Sequence, residues 1–242
     1  MEPVVKVQGV TKRYRNGRGI RDISFEVNRG DVYGLFGPNG AGKTTLLKML
    51  AGLCAPDRGQ VSLFGHSIPD QFELATEHAS FLIETMEAYT YMSAYENLKL
   101  VARFYPGLPK NRIAETLEWV GLAAYRDEKV QRFSMGMKQR LALACALLSN
   151  PKLVILDEPT NGLDIEGVVD VRNLLLRLAR ERGITFLISS HMIDEMERVC
   201  NRIGILHDGV LIQQGKIHEL LRDDSMTLEQ YYLSQVKKAK EN

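Results

Sequence analysis

An α/β fold with a mainly parallel sheet, N-terminal antiparallel β strands and an inserted α-helical subdomain is predicted by three features of this 242-residue chain. Short apolar runs, residues 32–36 and 153–156 among them, suit strands buried on both faces. They alternate with helical patterns such as residues 165–182, the order expected of parallel strands joined by crossover helices. From Glu84 to about Asn150 the pattern changes to recurrent helical spacing, which marks the insertion.

Taken in order, residues 4–10 and 23–27 alternate apolar with polar side chains and read as half-exposed antiparallel strands. The basic turn between them, residues 12–19, carries Tyr14, whose ring can stack on a base or cover the edge of the sheet. Residues 32–36 form a buried strand and residues 44–51 a helix. The connection, Gly37-Pro38-Asn39-Gly40-Ala41-Gly42-Lys43-Thr44, satisfies the phosphate-binding pattern G-x-x-x-x-G-K-[ST]. The first helical turn has N–H groups without partners and carries the positive end of the helix dipole, so an anion is stabilised there. Glycines let the backbone wrap the phosphates, Lys43 reaches the β- and γ-phosphates, and the Thr44 hydroxyl holds Mg²⁺.

Gly52 and residues 56–59 stop the first helix, and strands follow at 61–65 and 79–83. Helices are expected at 94–104, 112–120 and 136–148. The core resumes at 153–158, a strand that ends in the carboxylates Asp157 and Glu158. A helix over 165–182, a strand over 185–189, a helix over 194–199 and strands over 203–206 and 210–213 complete it. One unit over 1–222 is expected, an α/β core of 1–84 and 151–222 around a helical subdomain of 85–150. A C-terminal helix or tail, 223–242, ends in the frayed, lysine-rich residues 237–242.

Composition narrows the function classes. Lys plus Arg total 31 against 30 acidic residues, so a net charge of +1 gives no reason to expect nucleic acid as the main partner. The longest apolar run, residues 141–148, falls far short of the roughly 20 residues that span a bilayer. The N-terminus has no basic region followed by an apolar core, so a cytoplasmic protein is expected. Cys54, Cys145 and Cys200 are odd in number and widely spaced, and read as reduced thiols rather than a disulfide or zinc framework.

The order of motifs resembles the ATP-binding subunit of ABC transporters, a P-loop NTPase core, and the resemblance covers essentially the whole chain. It is carried by the phosphate loop at 37–44, the signature segment Phe133-Ser134-Met135-Gly136-Met137, the Walker B strand 153–158, the D-loop Asn161-Gly162-Leu163-Asp164 and the switch segment Ser189-Ser190-His191. The resemblance implies ATP and Mg²⁺ as ligands. ATP is held by Tyr14, by residues 37–44 and Thr45, and at Asp164. The metal falls to Thr44, Glu84 and Asp157, the latter through water. Glu158 becomes the general base that polarises the attacking water, and His191 contacts the γ-phosphate. Lys43 completes the catalytic set. Two chains sandwich two ATP molecules head to tail, each site using the loop of one chain and Ser134, Met135 and Gly136 of the other.

Two departures stand out. The commonest signature is Leu-Ser-Gly-Gly-Gln, whereas methionines occupy 135 and 137 here, and Glu84 stands where the family usually has glutamine. A carboxylate at 84 can still bind Mg²⁺ through oxygen. Both departures, with Leu82-Ile83-Glu84 and Tyr95-Glu96-Asn97-Leu98, resemble the bacitracin- and lantibiotic-type branch of bacterial ABC exporters. That branch implies a separate membrane permease docking near Glu84 to Tyr105, where Tyr89, Tyr91, Tyr95, Phe104 and Tyr105 either anchor the partner or pack the helical subdomain. It also implies a second ATPase chain, a homodimer or a related pair, and a peripheral place on the inner face of the cell membrane. The alternatives are a soluble ABC ATPase acting on ribosomes or DNA, and a regulatory module that binds ATP without turnover. Balanced charge and a single cassette count against the first, and Lys43, Asp157, Glu158 and His191 together against the second.

Overall fold

The computed structural model describes residues 3–15, 17–84, 87–221 and 226–241. Asn16 of the basic turn, Thr85 and Met86 after Glu84, and residues 222–225 at the expected domain boundary lie outside the described residues, as do 1, 2 and 242. In chain order, β1 (Val5–Arg13) and β2 (Gly19–Val27) precede β3 (Val32–Phe36), which runs into the phosphate loop, and α1 (Lys43–Leu50) leaves it. Then come β4 (Arg58–Leu63), β5 (His66–Ile68), α2 (Phe72–Thr76) and β6 (Ala79–Leu82). Helices α3 (Ala94–Ala102), α4 (Arg112–Trp119) and α5 (Met135–Leu147) lead to β7 (Leu153–Asp157). The chain continues through α6 (Ile165–Arg182), β8 (Thr185–Ser190), α7 (Ile193–Val199), β9 (Arg202–His207), β10 (Val210–Lys216), α8 (Ile217–Leu220) and α9 (Leu228–Glu241).

Two sheets result. The first is antiparallel, in the order β2-β1-β4-β5, and the second runs β10-β9-β3-β8-β7-β6, parallel throughout except for the β9–β10 pair. Every residue of β3 and β8 is buried, as a central parallel strand requires. The two-residue period of a strand then divides the interior. Tyr33, Leu35, Ile155 and Leu187 face the antiparallel sheet and α1, while Val32, Phe36, Val154, Leu156, Phe186 and Ile188 face the helices. Leu98 of α3, Leu117 of α4 and Leu141 of α5 belong to that second cluster, so the helical segment shares its apolar core with the parallel sheet. Its first helix begins with a reciprocal cap, in which Ser93 and Glu96 each accept the other's backbone N–H.

The structure departs from the sequence reading in its short elements and at its end. β5, α2 and α8 have three to five residues each, too few for periodicity to register. Residues 237–241 are helical, not frayed, because α9 is seated further back: Tyr231 and Tyr232 pack on the core, and the Tyr232 ring meets Phe36 edge-on at 5.0 Å. Cys200 is buried, whereas Cys54 and Cys145 are half-buried, and all three are free thiols. Burial pushes the Cys145 thiol up to about 12 and the Cys200 thiol higher still, which keeps both protonated and inert.

Leu35 is fully buried in the strand that delivers the phosphate loop. Leu35→Ala is expected to lower the free energy of unfolding by about 2–5 kcal/mol, measured as a shift of the urea midpoint. An unshifted midpoint would mean that β3 is not central to the core.

Candidate functional site

The phosphate loop leaves the C-terminal end of β3 between β8 and β9, where ligands of open α/β sheets bind. Two of its glycines are dictated by packing as well as by a ligand. Gly42 has φ 104°, and a Cβ there would lie 2.2 Å from Ile20 Cγ2. A Cβ on Gly37 would lie 2.4 Å from the Leu206 carbonyl oxygen. The loop therefore wedges between the first turn of β2 and the end of β9 before any phosphate arrives.

Lys43, the first residue of α1, is buried, and its Nζ donates to the carbonyls of Gly37 at 2.7 Å and Pro38 at 3.4 Å. It also forms an ion pair with Glu158 Oε1 at 3.1 Å. The other oxygen of that carboxylate is 2.7 Å from His191 Nδ1 and accepts the His191 backbone N–H at 3.3 Å. Glu158 adopts the left-handed conformation, φ 49°, uncommon for a residue with a side chain. Its N–H donates to both the carbonyl and the hydroxyl of Ser189, at 3.2 and 3.0 Å, which holds it there. The Ser189 hydroxyl in turn donates to Asp157 Oδ1 at 2.5 Å, across the register pair of β7 and β8. Loop, Glu158 and imidazole thus converge on a cavity of about 290 Å³ lined by Asn39, Gly40, Gly42, Lys43, Thr44, Glu158, Asn161 and His191, while Asp157 is not on its rim.

For the metal, Thr44 and Asp157 offer only oxygen donors, the ligand type a hard cation takes. Among the described residues no three His, Cys, Asp or Glu side chains gather into a protein-only cage. That donor set fits Mg²⁺, which keeps waters and phosphate oxygens in its shell. Glu84 is engaged elsewhere: its Oε1 is 2.7 Å from Lys48 Nζ on α1, and this bond raises the Lys48 ammonium above its ordinary range.

The remaining sequence candidates do not all meet in the cavity. Tyr14 follows β1 and borders a second cavity of about 370 Å³, shared with Lys12, Arg18, Ile20 and Asp208. Ile20 on its rim also lies against Gly42 of the phosphate loop. Thr45 lies on α1 behind the loop. Ser134 caps α5 by accepting the Met137 N–H at 3.2 Å, and Met135 is 60% exposed. Gly136 packs beside Gly167 of α6, where a Cβ would make only an ordinary contact at 3.7 Å. Asp164 caps α6 through the Gly167 N–H at 2.9 Å. Ser134, Met135, Gly136 and Asp164 do not line the phosphate cavity of their own chain. Conversely, Ser189 and Asn161 hold positions in the site that the sequence reading left without a role. The only sign of Ser189 was a hydroxyl at the end of a buried strand two residues before His191.

The family described as ABC transporter matches residues 20–161, more than half the chain. The chain is an ATP-binding subunit of an ABC transporter. It is 40% identical over 239 residues to the bacitracin transport ATP-binding protein of Bacillus licheniformis, covering 99% of this chain and 78% of the relative. It is 35% identical over 235 residues to a lantibiotic transport ATP-binding protein of Streptococcus pyogenes, covering 96% and 97%. A solved dimeric ATP-binding cassette in a post-hydrolysis state bound to ADP and Pi superposes with a TM-score of 0.76 at 26% identity, over 88% of this chain and 98% of the other. The ABC ATPase fold and class expected from the motifs are therefore those of this chain. None of its described helices is long and apolar enough to cross a membrane.

Ser189→Ala removes the hydroxyl shared by Asp157 and the Glu158 N–H. Its expected effect is a roughly tenfold fall in kcat for ATP, about 1.4 kcal/mol in barrier, with an unchanged urea midpoint. Turnover equal to the parent would show that Ser189 does not orient the carboxylates.

Proposed function

We propose that this subunit hydrolyses ATP at two sites shared between paired chains and that the pair drives a separate membrane permease as an exporter. The observation that carries this reading is the separation within one chain. Lys43, Glu158 and His191 converge on one cavity, whereas Ser134, Met135 and Gly136 present a capped helix N-terminus elsewhere. A second chain facing the loop would bring that N-terminus, with its partly unsatisfied N–H groups, to the γ-phosphate. The dimeric cassette with ADP and Pi supports such a pairing.

In this reading each side chain has a task. Without nucleotide, Lys43 is neutralised by Glu158. The β- and γ-phosphates compete for the ammonium, which releases the carboxylate to take a proton from the attacking water. As the water oxygen bonds to the γ-phosphorus, the bond to the bridging oxygen breaks and ADP leaves with the electron pair. His191 holds Glu158 and, once the carboxylate turns to the water, donates to the γ-phosphate. Mg²⁺, held by Thr44 and through water by Asp157, would neutralise phosphate charge, with Glu84 joining when it leaves Lys48. Tyr14 supplies a stacking face for the base, and Thr45 and Asp164 keep the loop helix and the facing chain in place.

Residues 1–222 act as one ATPase domain with 85–150 as its helical part, and 223–242 follow as a C-terminal helix or tail. The permease docks along the edge strand β6, where Leu82, Ile83, Val101, Tyr105, Ala142 and Cys145 border a groove of about 410 Å³. Tyr91 and Phe104 nearby are 62% and 81% exposed. Such aromatics are common interface anchors. Tyr95 is different, because the Arg126 guanidinium covers its ring at 4.5 Å. The bacitracin- and lantibiotic-transport relatives support an exporter, with the subunit on the inner face of the membrane beside its permease and no nucleic acid as partner.

Glu158→Gln is expected to bind ATP, to lose most hydrolysis, about 10²-fold or more, and to elute as an ATP-dependent dimer. Monomers persisting at saturating ATP on a sizing column would contradict the shared sites.

A further inference from the structure

The turn after α1 reaches back to the base-side loop through one side chain. Asp57 Oδ2 accepts the Arg13 backbone N–H at 2.7 Å, and Oδ1 accepts from Lys12 Nζ at 2.9 Å. The Asp57 N–H donates to the Thr11 carbonyl at 2.8 Å. Three contacts thus fasten residues 11–13, the last before Tyr14. β1 changes register against β4 between Gln8 and Thr11, so these contacts add to the β2 ladder, which runs to Arg13 and Gly19, in setting the direction in which the chain leaves the sheet. Beyond Tyr14 the turn closes on itself, Tyr14 N–H to Arg18 carbonyl at 2.8 Å and Gly17 N–H to Tyr14 carbonyl at 3.0 Å.

The charges respond accordingly. The Arg13 N–H and then Lys12 draw the Asp57 carboxyl below its usual range, and Asp57 raises Lys12. Burial raises the Cys54 thiol on the same turn, and its Sγ donates to the Thr45 carbonyl on the phosphate-loop helix at 3.8 Å.

We infer that Asp57 is a positioning residue that sets the Tyr14 ring against the base of the bound nucleotide. This rests on the reading of Tyr14 as the stacking face. Asp57 does not line the cavity at the phosphate loop, so its loss acts on base recognition alone.

Calorimetric titration of the full chain with ADP and with inorganic pyrophosphate separates these contributions. Asp57→Ala is expected to weaken ADP binding about tenfold, within the range of a lost base stack, to leave pyrophosphate affinity unchanged and to raise KM for ATP without lowering kcat. Asp57→Asn keeps an acceptor for the Arg13 N–H and restores most of the ADP affinity. Adding Asp57→Ala to Tyr14→Ala weakens ADP no further. If Tyr14→Ala weakens ADP but Asp57→Ala does not, the positioning role fails while the stacking reading stands. Equal losses for ADP and pyrophosphate in Asp57→Ala overturn the inference, since Asp57 would then shape the whole site. If Tyr14→Ala leaves ADP binding intact, the stacking reading itself fails.

Discussion

A buried ammonium needs a counter-charge, and Lys43 has Glu158 for one. Much of the site depends on that requirement. Glu158 reaches Lys43 only because its backbone turns into the left-handed region at the end of β7, and it stays there because Ser189 of β8 accepts its N–H twice. Ser189 also holds Asp157, and His191 holds the far oxygen of Glu158. One ion pair therefore ties the register of three neighbouring strands, β3, β8 and β7, to the position of the hydrolytic groups.

The same contact explains how a nucleotide can act as a switch. In the proposed cycle, phosphate and carboxylate are alternative partners of a single cation, and filling the loop would free the carboxylate. The frame around it is rigid. Central strands buried on both faces pack against the antiparallel sheet on one side and against the helices on the other, and the helical segment shares the second core. Movement of Glu158 and His191 then requires no rearrangement of the sheet.

Much of this was legible in the residues. The phosphate loop declares itself by spacing, and the carboxylates by their place at the end of an apolar run, because strand and helix periods are local properties. The α6 boundaries, residues 165–182, could be read directly from the helical period. Contacts between distant segments were not legible. Nothing near Glu84 indicates that Lys48 holds it, nothing near Asp57 that it fastens Arg13, and Ser189 shows its role only once β7 and β8 are in register. Short elements such as β5 escaped because three residues carry no period. The helical end of the chain escaped because Tyr231 and Tyr232, not its lysines, decide where α9 sits.

Ser134 and Asp164 each cap a helix of their own chain, and under the shared-site reading each would also meet the nucleotide bound to a facing chain. The central claim is that the loop of one chain works with the 134–136 segment of another. Mixing two inactive variants tests it most directly. Lys43→Ala disables the loop, and Gly136→Asp, at a position with room for a Cβ, puts an anion where the facing phosphate would lie. Shared sites predict that a one-to-one mixture regains roughly a quarter of the wild-type ATPase rate, since half of randomly formed pairs hold one intact site of two. A mixture no more active than its separate components would contradict the account.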